Sequence, residues 1–417
     1  MPELWRALRY RNYKLFFGGQ AASLVGMWLQ LTAQSWLIYR LTDSATAVGI
    51  MTVAQQGPGL LLGPFVGALA DRHSKKRILL ISQAAAAVPA FALGVLTLSG
   101  VVEAWHIVAL AFVTGVARAF EIPTRQSFVP ELVGRSDLAN AIALNSVLFN
   151  GARLIGPAIA GIVIATAGEG WCFIANSLSY SAILIALAAI RLPARSDTGE
   201  RGSLWSEVRE GLQHVRGERT LWALLGGLGV VSLAGMPYSV LLPSFSQRVL
   251  GGGPDTYGYL QAAVGAGAIA GALALAARRR IRGIERWLVA SGVLFGLSLV
   301  AVSRAESTQM AYLLLVPMGL GFMVQNASTN TLLQSISPDH LRGRIMSLHT
   351  TLFLGLFPLG GFIAGSLADR YGEVHVLAGA GAVVVASQLV FGRILLRTAP
   401  AAIDRVESLE AASAGIS

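Results

Sequence analysis

The sequence predicts an all-α membrane protein with twelve transmembrane helices in two pseudo-symmetric six-helix bundles. Its 417 residues are 54% hydrophobic and only 13% charged, and the mean hydropathy is +0.61. Soluble domains carry roughly 25% charged residues, because a surface in water needs them. The apolar residues also fall into runs near the length of about 20 residues that a helix needs to cross the hydrocarbon core.

The apolar runs occur in two groups of six on either side of a polar stretch. They are Phe16–Tyr39, Ala45–Ala70, Ile78–Leu98, Trp105–Ile122, Leu138–Ala165, Trp171–Ile190, Leu221–Val249, Tyr257–Ala277, Trp287–Val302, Met310–Leu333, Ile345–Ala368 and Val374–Leu396. The division predicts an N-terminal bundle (1–190), a cytoplasmic linker (191–219), a C-terminal bundle (220–398) and a disordered cytoplasmic tail (399–417). Helical spacing of Leu204, Val208, Leu212 and Val215 predicts a short amphipathic helix in the linker.

The basic residues give the orientation. Of the 32 Lys and Arg residues, 26 fall in loops on the side of the N-terminus when the loops are assigned to alternate sides, and 4 fall opposite. The positive-inside rule then predicts a multi-pass protein of the cell inner membrane with both termini in the cytoplasm. The basic N-terminal stretch lacks a small-residue cleavage site, so we expect the first run to be a retained anchor.

Several other functional classes are disfavoured. The net charge of +10 lies in short loops rather than on one basic face, so we expect no nucleic-acid partner. No Walker loop, nucleophile elbow or HExxH motif occurs, and the six histidines show no metal-ligand spacing. We therefore expect no enzyme activity, no metal and no cofactor. The single cysteine, Cys172, lies in an apolar run and forms no intrachain disulfide.

Among the few charged residues inside the predicted spans, Arg118, Glu121 and Arg153 are candidates for a functional role. A lipid-facing arginine near the bilayer centre costs roughly 2.5–3.5 kcal/mol or more, so Arg153 should face the protein interior. There it either binds an anionic substrate, tunes a carboxylate, or pairs with Glu121 or helix carbonyls. Arg118 and Glu121 stand at i and i+3 on the last turns of the fourth run, which favours a structural or gating ion pair.

Polar and aromatic residues within the spans are candidates for a central cavity. The candidate cavity residues are Trp28, Gln30, Gln34, Asn145, Arg153, Gln325 and Asn326. Hydrogen bonding between helices explains each of them, taken singly, at least as well.

The loop Gly67–Arg77 combines Asp71 with four Lys and Arg residues where a helix meets the cytoplasm. An aspartate in this position can clamp the N-terminus of another helix through its dipole and so act as a gate. An ordinary positively charged turn is the alternative. Gly67–Arg72 is echoed by Gly365–Arg370, and Gly156–Gly161 by Gly360–Gly365, as expected of a transporter built from parallel repeats.

With these motifs the chain resembles the major facilitator superfamily over nearly its whole length. Gly67–Arg77 is similar to that superfamily's first signature, although Ser74 replaces a common glycine. The resemblance implies that Asp71 latches the two halves in one state, with Arg77 and Glu121 completing a charge relay. The implied gating residues are Gly67, Asp71, Arg72, Arg77, Arg118 and Glu121.

A second signature implies the direction of transport. The residues Asn150, Arg153, Gly156, Pro157 and Gly161 resemble the antiporter signature of the fifth helix, which is found in exporters. Pro123–Gln126, Leu138–Ala141 and Pro338–Arg344 resemble the transmembrane secretion effector branch, which contains macrolide-efflux proteins and enterobactin-type siderophore exporters.

The expected function is export of small amphipathic molecules, drug-like or siderophore-like, by alternating access. The resemblance implies that a proton gradient supplies the energy through antiport. The expected partners are the substrate, protons and the lipid bilayer, and the protein is expected to be a monomer. A facilitator or importer of a small nutrient and a non-transporting membrane scaffold are the alternatives.

Overall fold

The computed structural model describes residues 3–134, 137–191, 213–278 and 281–414, and these residues form helices and no strand. Over 3–4, 63–72, 339–340 and most of 406–414 it describes the backbone alone. The predicted amphipathic helix of the linker lies almost entirely outside the described residues.

The helices follow the predicted runs closely. After a 3-10 helix over Glu3–Arg9, the first half contains α1 (Arg11–Thr42), α2 (Ala45–Arg72), α3 (Lys75–Leu98), α4 (Ala104–Val133), α5 (Leu138–Ala167) and α6 (Glu169–Ala189). The second half contains α7 (Arg219–Val249), α8 (Pro254–Ala276), α9 (Ile284–Val302), α10 (Thr308–Ile336), α11 (Asp339–Tyr371) and α12 (Glu373–Ala414). Two π-helical segments, Val231–Gly235 and Phe245–Val249, interrupt α7.

Helix α4 is longer than predicted, which moves two charged residues. It continues through Pro123 and Pro130 to Val133, so Arg118 and Glu121 lie near its middle rather than on its last turns. Proline removes one helix hydrogen bond, but membrane helices tolerate it because neighbouring groups satisfy the freed carbonyl. The predicted boundary was therefore too early by about three turns.

The tail prediction is also corrected. Helix α12 extends to Ala414, so residues 399–414 are helical rather than disordered. Ala399 and Ile403 are buried in the hydrophobic core of the second half, and Arg282 forms an ion pair with Asp404 at 2.6 Å. Alanine has the highest helix propensity, and these contacts give the alanine-rich tail a surface against which to fold.

Ten helices are long and apolar enough to cross a membrane, by length and composition, among the residues that the structure describes. Helices α1 and α2 are not among the ten. Three glutamines lower the hydropathy of α1, and the side chains at the end of α2 are outside the description. The count of twelve spans and the arrangement as two six-helix bundles stay predictions.

By contacts the chain divides into two compact units. The first unit is Met1–Glu200 with Leu242–Ala262, and the second is Arg201–Leu241 with Ala263–Ser417. The end of α7 and the first turns of α8 thus belong with the N-terminal half, whereas chain order alone would place them with the C-terminal half.

In the first unit, α1 packs against α6 and α5, α2 against α4, and α3 against α6 and α4. Glycines permit these close approaches: Gly115 of α4 lies against the carbonyl of Gln55 on α2. The core includes Tyr13, Phe16 and Phe128, with the rings of Phe16 and Phe128 in edge contact at 5.9 Å.

In the second unit, α9 packs against α10 and α12, and α7 packs against α12. The unit also repeats a contact of the first. Gly360 on α11 lies against the carbonyl of Leu233 on α7, just as Gly156 on α5 lies against Trp28 on α1. The sequence echo between Gly156 and Gly360 therefore marks equivalent helix-packing positions.

Candidate functional site

The second unit contains a small cavity between α7, α10 and α11. It has room for about one water molecule, and its lining residues are Leu228, Val231, Phe322, Gln325, Asn326, Thr329 and Phe353. None of these lining residues is charged.

Helix α10 supplies most of this lining because of its spacing. Phe322, Gln325, Asn326 and Thr329 stand at i, i+3, i+4 and i+7, which places them on one face of a helix. The Thr329 hydroxyl donates to the carbonyl of Gln325 at 2.9 Å. This local bond satisfies the hydroxyl within its own helix and leaves the two carboxamide side chains to face the cavity.

The opposite wall comes from a distorted part of α7. Ser232, in the first π-helical segment, donates its hydroxyl to the carbonyl of Phe353 on α11 at 2.6 Å. π-Helical turns widen a helix locally and occur frequently at functional sites. Here the segment ties α7 to α11 beside the cavity.

Three polar atoms at or beside the cavity have no hydrogen-bond partner. They are Gln325 Oε1, Asn326 Oδ1 and His349 Nε2, and the residues Gln325 and His349 are only 5% and 8% exposed. A buried polar group without a partner costs about 1–3 kcal/mol. Such a cost is expected where a ligand or water completes the bonding, so this cluster is the strongest binding-site candidate in the described residues.

Aromatic rings form the apolar side of the cavity. Phe322 and Phe353 are stacked with ring centroids 6.4 Å apart and planes 19° apart. The ring of His349 stacks on Phe353 at 6.1 Å and 10°, and Phe295 extends the column on the other side of Phe322 at 5.6 Å. The site therefore combines flat apolar faces with unpaired polar atoms, as small-molecule sites commonly do.

Gln325 and Asn326 were predicted from the sequence as cavity residues, whereas His349 was missed. Metal-ligand spacing, which the six histidines lack, does not point to His349. The available signal was a titratable residue inside an apolar run, which is a candidate functional position in itself. Among the described residues, no group of three His, Cys, Asp or Glu side chains could hold a metal ion.

The glutamines of α1 have a different environment, within the first unit. Asn176 on α6 donates to Gln30 Oε1 at 2.5 Å, Gln30 donates to Gln34 at 3.4 Å, and Gln34 donates to the carbonyl of Ile107 on α4 at 3.4 Å. All three side chains are buried. These bonds join three helices and support the interhelical alternative for Gln30 and Gln34. Their contact with substrate stays a prediction.

The other predicted cavity residues of this unit lie along the contact of α1 and α5. Trp28 packs its ring against Phe149 at 6.0 Å, and its indole N–H has no partner. Asn145 and Arg153 are half-buried on α5. Asn150 donates to the carbonyl of Ser146 at 2.8 Å, which is a bond within its own helix.

The predicted antiporter residues form a close helix contact within the same unit. A Cβ atom at Gly161 would lie 2.9 Å from the carbonyl oxygen of Pro254 and 3.1 Å from Cα of Gly258, and one at Gly258 would lie 2.5 Å from the carbonyl oxygen of Pro157. Helices α5 and α8 therefore meet backbone to backbone. We call this contact the glycine seam.

Further contacts attach the Leu242–Ala262 segment to α1. The rings of Trp36 and Tyr257 stack at 5.9 Å, and Gln261 donates to the hydroxyl of Thr32 at 3.3 Å. Arg248 forms an ion pair with Asp43 at 3.2 Å. Aromatic, polar and ionic contacts thus reinforce the glycine seam from the neighbouring helix.

The predicted gating residues are only partly brought together. Glu121 pairs with Arg125 at 2.8 Å, which corrects the expected pairing with Arg118. Residues four apart on a helix can form an ion pair as readily as residues three apart. The sequence predicts that α4 ends before Arg125, so this partner was not expected. Arg77 is exposed. Gly67, Asp71 and Arg72 lie in α2, and their side chains are outside the description, so the charge relay stays a prediction.

An ionic cluster at the start of α5 was not anticipated. Asp137 accepts hydrogen bonds from Tyr10 at 2.8 Å and Arg9 at 2.6 Å, and Arg6 lies at 3.0 Å. The Tyr10 hydroxyl, assisted by the charges of Arg9 and Arg6, lowers the pKa of Asp137 below its ordinary value. Asn140 accepts the backbone N–H of Ala7 at 2.9 Å. Together these bonds anchor the N-terminal segment to the base of α5.

Comparisons with known sequences identify the family of the chain. Residues 3–413 match the sequence model of a family described as transmembrane secretion effector. The chain is 26% identical to the staphyloferrin A transporter of Staphylococcus aureus, with 91% of this chain and 95% of the relative covered. It is 27% identical to the multidrug efflux pump Tap of Mycolicibacterium fortuitum (83% and 87% covered) and 23% identical to macrolide efflux protein A of Streptococcus pyogenes (92% and 96% covered).

Solved structures share the fold. The nucleoside transporter NupG superposes with a TM-score of 0.72 at 14% identity, covering 94% of this chain and 99% of that one. A bacterial homologue of the human lysosomal transporter Spinster, crystallised in an inward-facing and unoccupied conformation, gives a TM-score of 0.68 at 15% identity, with 98% of both chains covered. The described helices therefore have the arrangement found in membrane transporters.

Proposed function

The chain belongs to the transmembrane secretion effector family of the major facilitator superfamily, and from that premise we propose that it is a proton-driven exporter of small amphipathic molecules. The observation that carries the proposal is the match to the multidrug efflux pump Tap and to macrolide efflux protein A over most of the chain's length. The cavity of the second unit and the glycine seam of the first supply the features that such a transporter needs.

The substrate is proposed as a class. The relatives' names mention staphyloferrin A, multiple drugs and a macrolide, which do not share one chemical group. The cavity agrees with such a class, because Phe322 and Phe353 offer apolar faces while Gln325 and Asn326 offer neutral polar groups. Arg153 would receive an anionic group if the substrate is siderophore-like.

Export by alternating access requires helix contacts that separate and re-form. The glycine seam suits this role because its closest approaches are between backbone atoms of α5 and α8. Such a surface can part without leaving a charged group in the lipid, whereas a buried ion pair could not. Protons are the proposed energy source, because no nucleotide-binding loop occurs in the chain.

The test is efflux of a preloaded fluorescent amphipathic dye from cells that express the protein, with and without an uncoupler. We expect efflux that stops when the uncoupler collapses the proton gradient. Asp71→Asn and Arg153→Ala should each reduce the rate at least tenfold if these residues gate transport. Gln325→Leu should raise the dye concentration needed for half-maximal efflux, because an apolar side chain cannot complete the polar contact.

Gln334→Leu is the matched control for Gln325→Leu. It makes the same change on the same helix at an exposed position, and efflux should not change. Efflux that persists in the presence of the uncoupler would contradict antiport and leave a facilitator. Wild-type cells that retain the dye as long as cells without the protein would contradict export of this class of compound.

A further inference from the structure

The basic residues on the predicted cytoplasmic side of the first unit fall into two groups. Those of the first group are paired with carboxylates. Lys75 forms an ion pair with Glu131 at 2.6 Å, and Arg6 and Arg9 lie 3.0 and 2.6 Å from the carboxylate of Asp137. Those of the second group are exposed, and no carboxylate among the described residues lies within ion-pair distance of them. They are Arg11, Lys14, Arg77 and Arg191.

The second group lies around the C-terminal end of α6, which two side chains hold between α1 and α3. The ammonium group of Lys76 donates to the carbonyls of Ala188 at 3.1 Å and Ile190 at 2.7 Å. On the side of α1, the amide of Asn12 donates to the carbonyl of Arg191 at 2.9 Å. The last carbonyls of a helix carry partial negative charge and need donors. Because these donors are already in place, the helix end does not account for the exposed arginines beside it.

Arg77 begins an exposed stripe of α3. The stripe continues at i+4, i+7, i+11 and i+14, positions that share one face of a helix. Its members are all exposed, and they are Ile81, Ala84, Val88 and Phe91. A guanidinium group therefore stands at the predicted cytoplasmic end of a surface that consists of apolar side chains.

Helix α6 has a similar stripe beside the first. Its exposed members are Leu178, Ser181, Ile185 and Ala188, and Arg191 follows three residues after the last of them. Alanine and serine lie between the large side chains in both stripes. These small residues leave a shallow groove along each helix.

The two stripes face the same side of the α3–α6 pair. The helices are packed together and antiparallel, since the start of α3 meets the end of α6 through Lys76. Ser177 donates to the carbonyl of Ala87 at 3.4 Å, so these two residues mark the contact. The next residue of each helix is turned by about 100°, and in antiparallel helices both turns lead to the same side. There Val88 and Leu178 are 68% and 67% exposed.

A surface of this kind has the chemistry of a phospholipid site. Acyl chains can lie along the apolar stripes, and the small residues admit them closely. An arginine binds phosphate oxygens through two parallel hydrogen bonds, and Arg77 and Arg191 stand at the same end of the pair. Basic sites between transmembrane helices on the cytoplasmic side bind anionic lipid headgroups. A zwitterionic headgroup would leave part of this positive charge without a partner.

We propose that the α3–α6 pair binds an anionic phospholipid, with its phosphate group at Arg77 and Arg191 and its acyl chains along the two stripes. Arg11 and Lys14 on α1 add long-range attraction for the negative headgroup. The proposal goes beyond export, since it depends neither on the substrate nor on the energy source.

Native mass spectrometry of the purified full-length protein in detergent measures the binding. Dioleoylphosphatidylglycerol and dioleoylphosphatidylcholine are titrated separately, and since their acyl chains are identical, the difference reports the headgroup. We expect the wild type to bind the anionic lipid roughly tenfold more tightly than the zwitterionic one. Arg77→Gln and Arg191→Gln should each weaken binding of the anionic lipid about fivefold, since each removes one charge near the phosphate.

Arg304→Gln is the matched control. It removes the same charge from an exposed position on the predicted opposite side, and binding of the anionic lipid should not change. Equal binding of the two lipids by the wild type would overturn the proposal. So would wild-type binding by the Arg77→Gln, Arg191→Gln double variant, or an equal loss of binding in Arg304→Gln.

Inorganic phosphate separates a lipid site from a site for a free anion. In millimolar excess it should not displace the bound anionic lipid, because burial of the acyl chains supplies part of the affinity. Displacement of the lipid by phosphate would overturn the lipid assignment.

Thermal unfolding of the wild type needs no variant. A ligand that binds only the folded state raises the melting temperature, so dioleoylphosphatidylglycerol should raise it more than dioleoylphosphatidylcholine does. Equal shifts would contradict the proposal. The proposed function fails separately, when whole cells show no uncoupler-sensitive efflux, because neither lipid measurement involves a transported substrate.

Discussion

Two pairs of polar side chains, one in each unit, differ in their hydrogen bonding. Gln30 and Asn176 are held in a chain of hydrogen bonds between helices, whereas Gln325 and Asn326 leave their oxygens unpaired beside a cavity. A hydrogen bond between membrane helices contributes about 1 kcal/mol or less, so the first pair is explained by packing alone. The second pair is not, and its unpaired oxygens on the wall of a cavity are the reason for placing the candidate site in the C-terminal unit.

The sequence could identify these four residues as polar positions in apolar runs, but it could not separate the two situations. Whether a polar side chain is hydrogen-bonded or unpaired depends on which groups the neighbouring helix presents to it. Those groups in turn depend on how each helix is rotated within the unit. His349 is a further example of this limit. Its position in an apolar run was visible in the sequence, whereas its unpaired Nε2 and its stacking on Phe353 are tertiary features.

Asp137 leads to a prediction about pH at the residue scale. Since the fold lowers the pKa of Asp137, the ionised form is favoured in the folded state. Its stabilising effect is then present above the ordinary pKa of about 3.9 and is lost as the pH falls through the lower folded value. Asp137→Asn should therefore reduce the melting temperature of the purified protein at pH 7, and the difference from wild type should vanish at acidic pH.

Differential scanning fluorimetry over a pH series measures this effect. Glu306→Gln, which neutralises an exposed carboxylate, serves as the control and should leave the melting temperature unchanged. If Asp137→Asn lowers the melting temperature as much at pH 3 as at pH 7, the side chain acts through its shape and not through its charge.

At the scale of the helices, boundaries set by hydropathy were predicted well and boundaries set by packing were not. Helices α3 and α9 end at the predicted residues, Leu98 and Val302, because a turn of polar or flexible residues follows the apolar run. Helices α4 and α12 run on for several turns beyond their predicted ends, because polar residues that continue a helix outside the apolar run give no hydropathy signal.

The glycine seam gives a prediction at this scale. Gly161→Val should lower the melting temperature by several degrees, since the added side chain would collide with the carbonyl of Pro254 and the backbone of Gly258. Overpacking a close contact typically costs about 1–3 kcal/mol. Ala165→Val places the same side chain one turn along α5 at an exposed position and should be neutral. Equal melting temperatures for the two variants would mean that α5 and α8 do not approach each other as closely as described.

For the whole molecule, the assignment of residues to units departs from chain order. Leu242–Ala262 contacts the N-terminal half, although it follows the central linker by more than twenty residues. A hydropathy pattern assigns segments to the membrane but does not report which helices meet. Small residues in both partners, here Gly161 and Gly258, were the available indication of a close contact.

The distribution of charge over the whole chain leads to the last prediction. With 26 of the 32 Lys and Arg residues in loops on the predicted side of the N-terminus, the positive-inside rule predicts that both termini lie in the cytoplasm. A green fluorescent reporter fused after Ser417 should fluoresce, and alkaline phosphatase fused there should be inactive, because that enzyme needs the oxidising periplasm for its disulfides. The same reporters fused after Gly251, an exposed residue between α7 and α8, should give the opposite result. Phosphatase activity at the C-terminal fusion would mean that the number of spans is odd or that the chain is inverted.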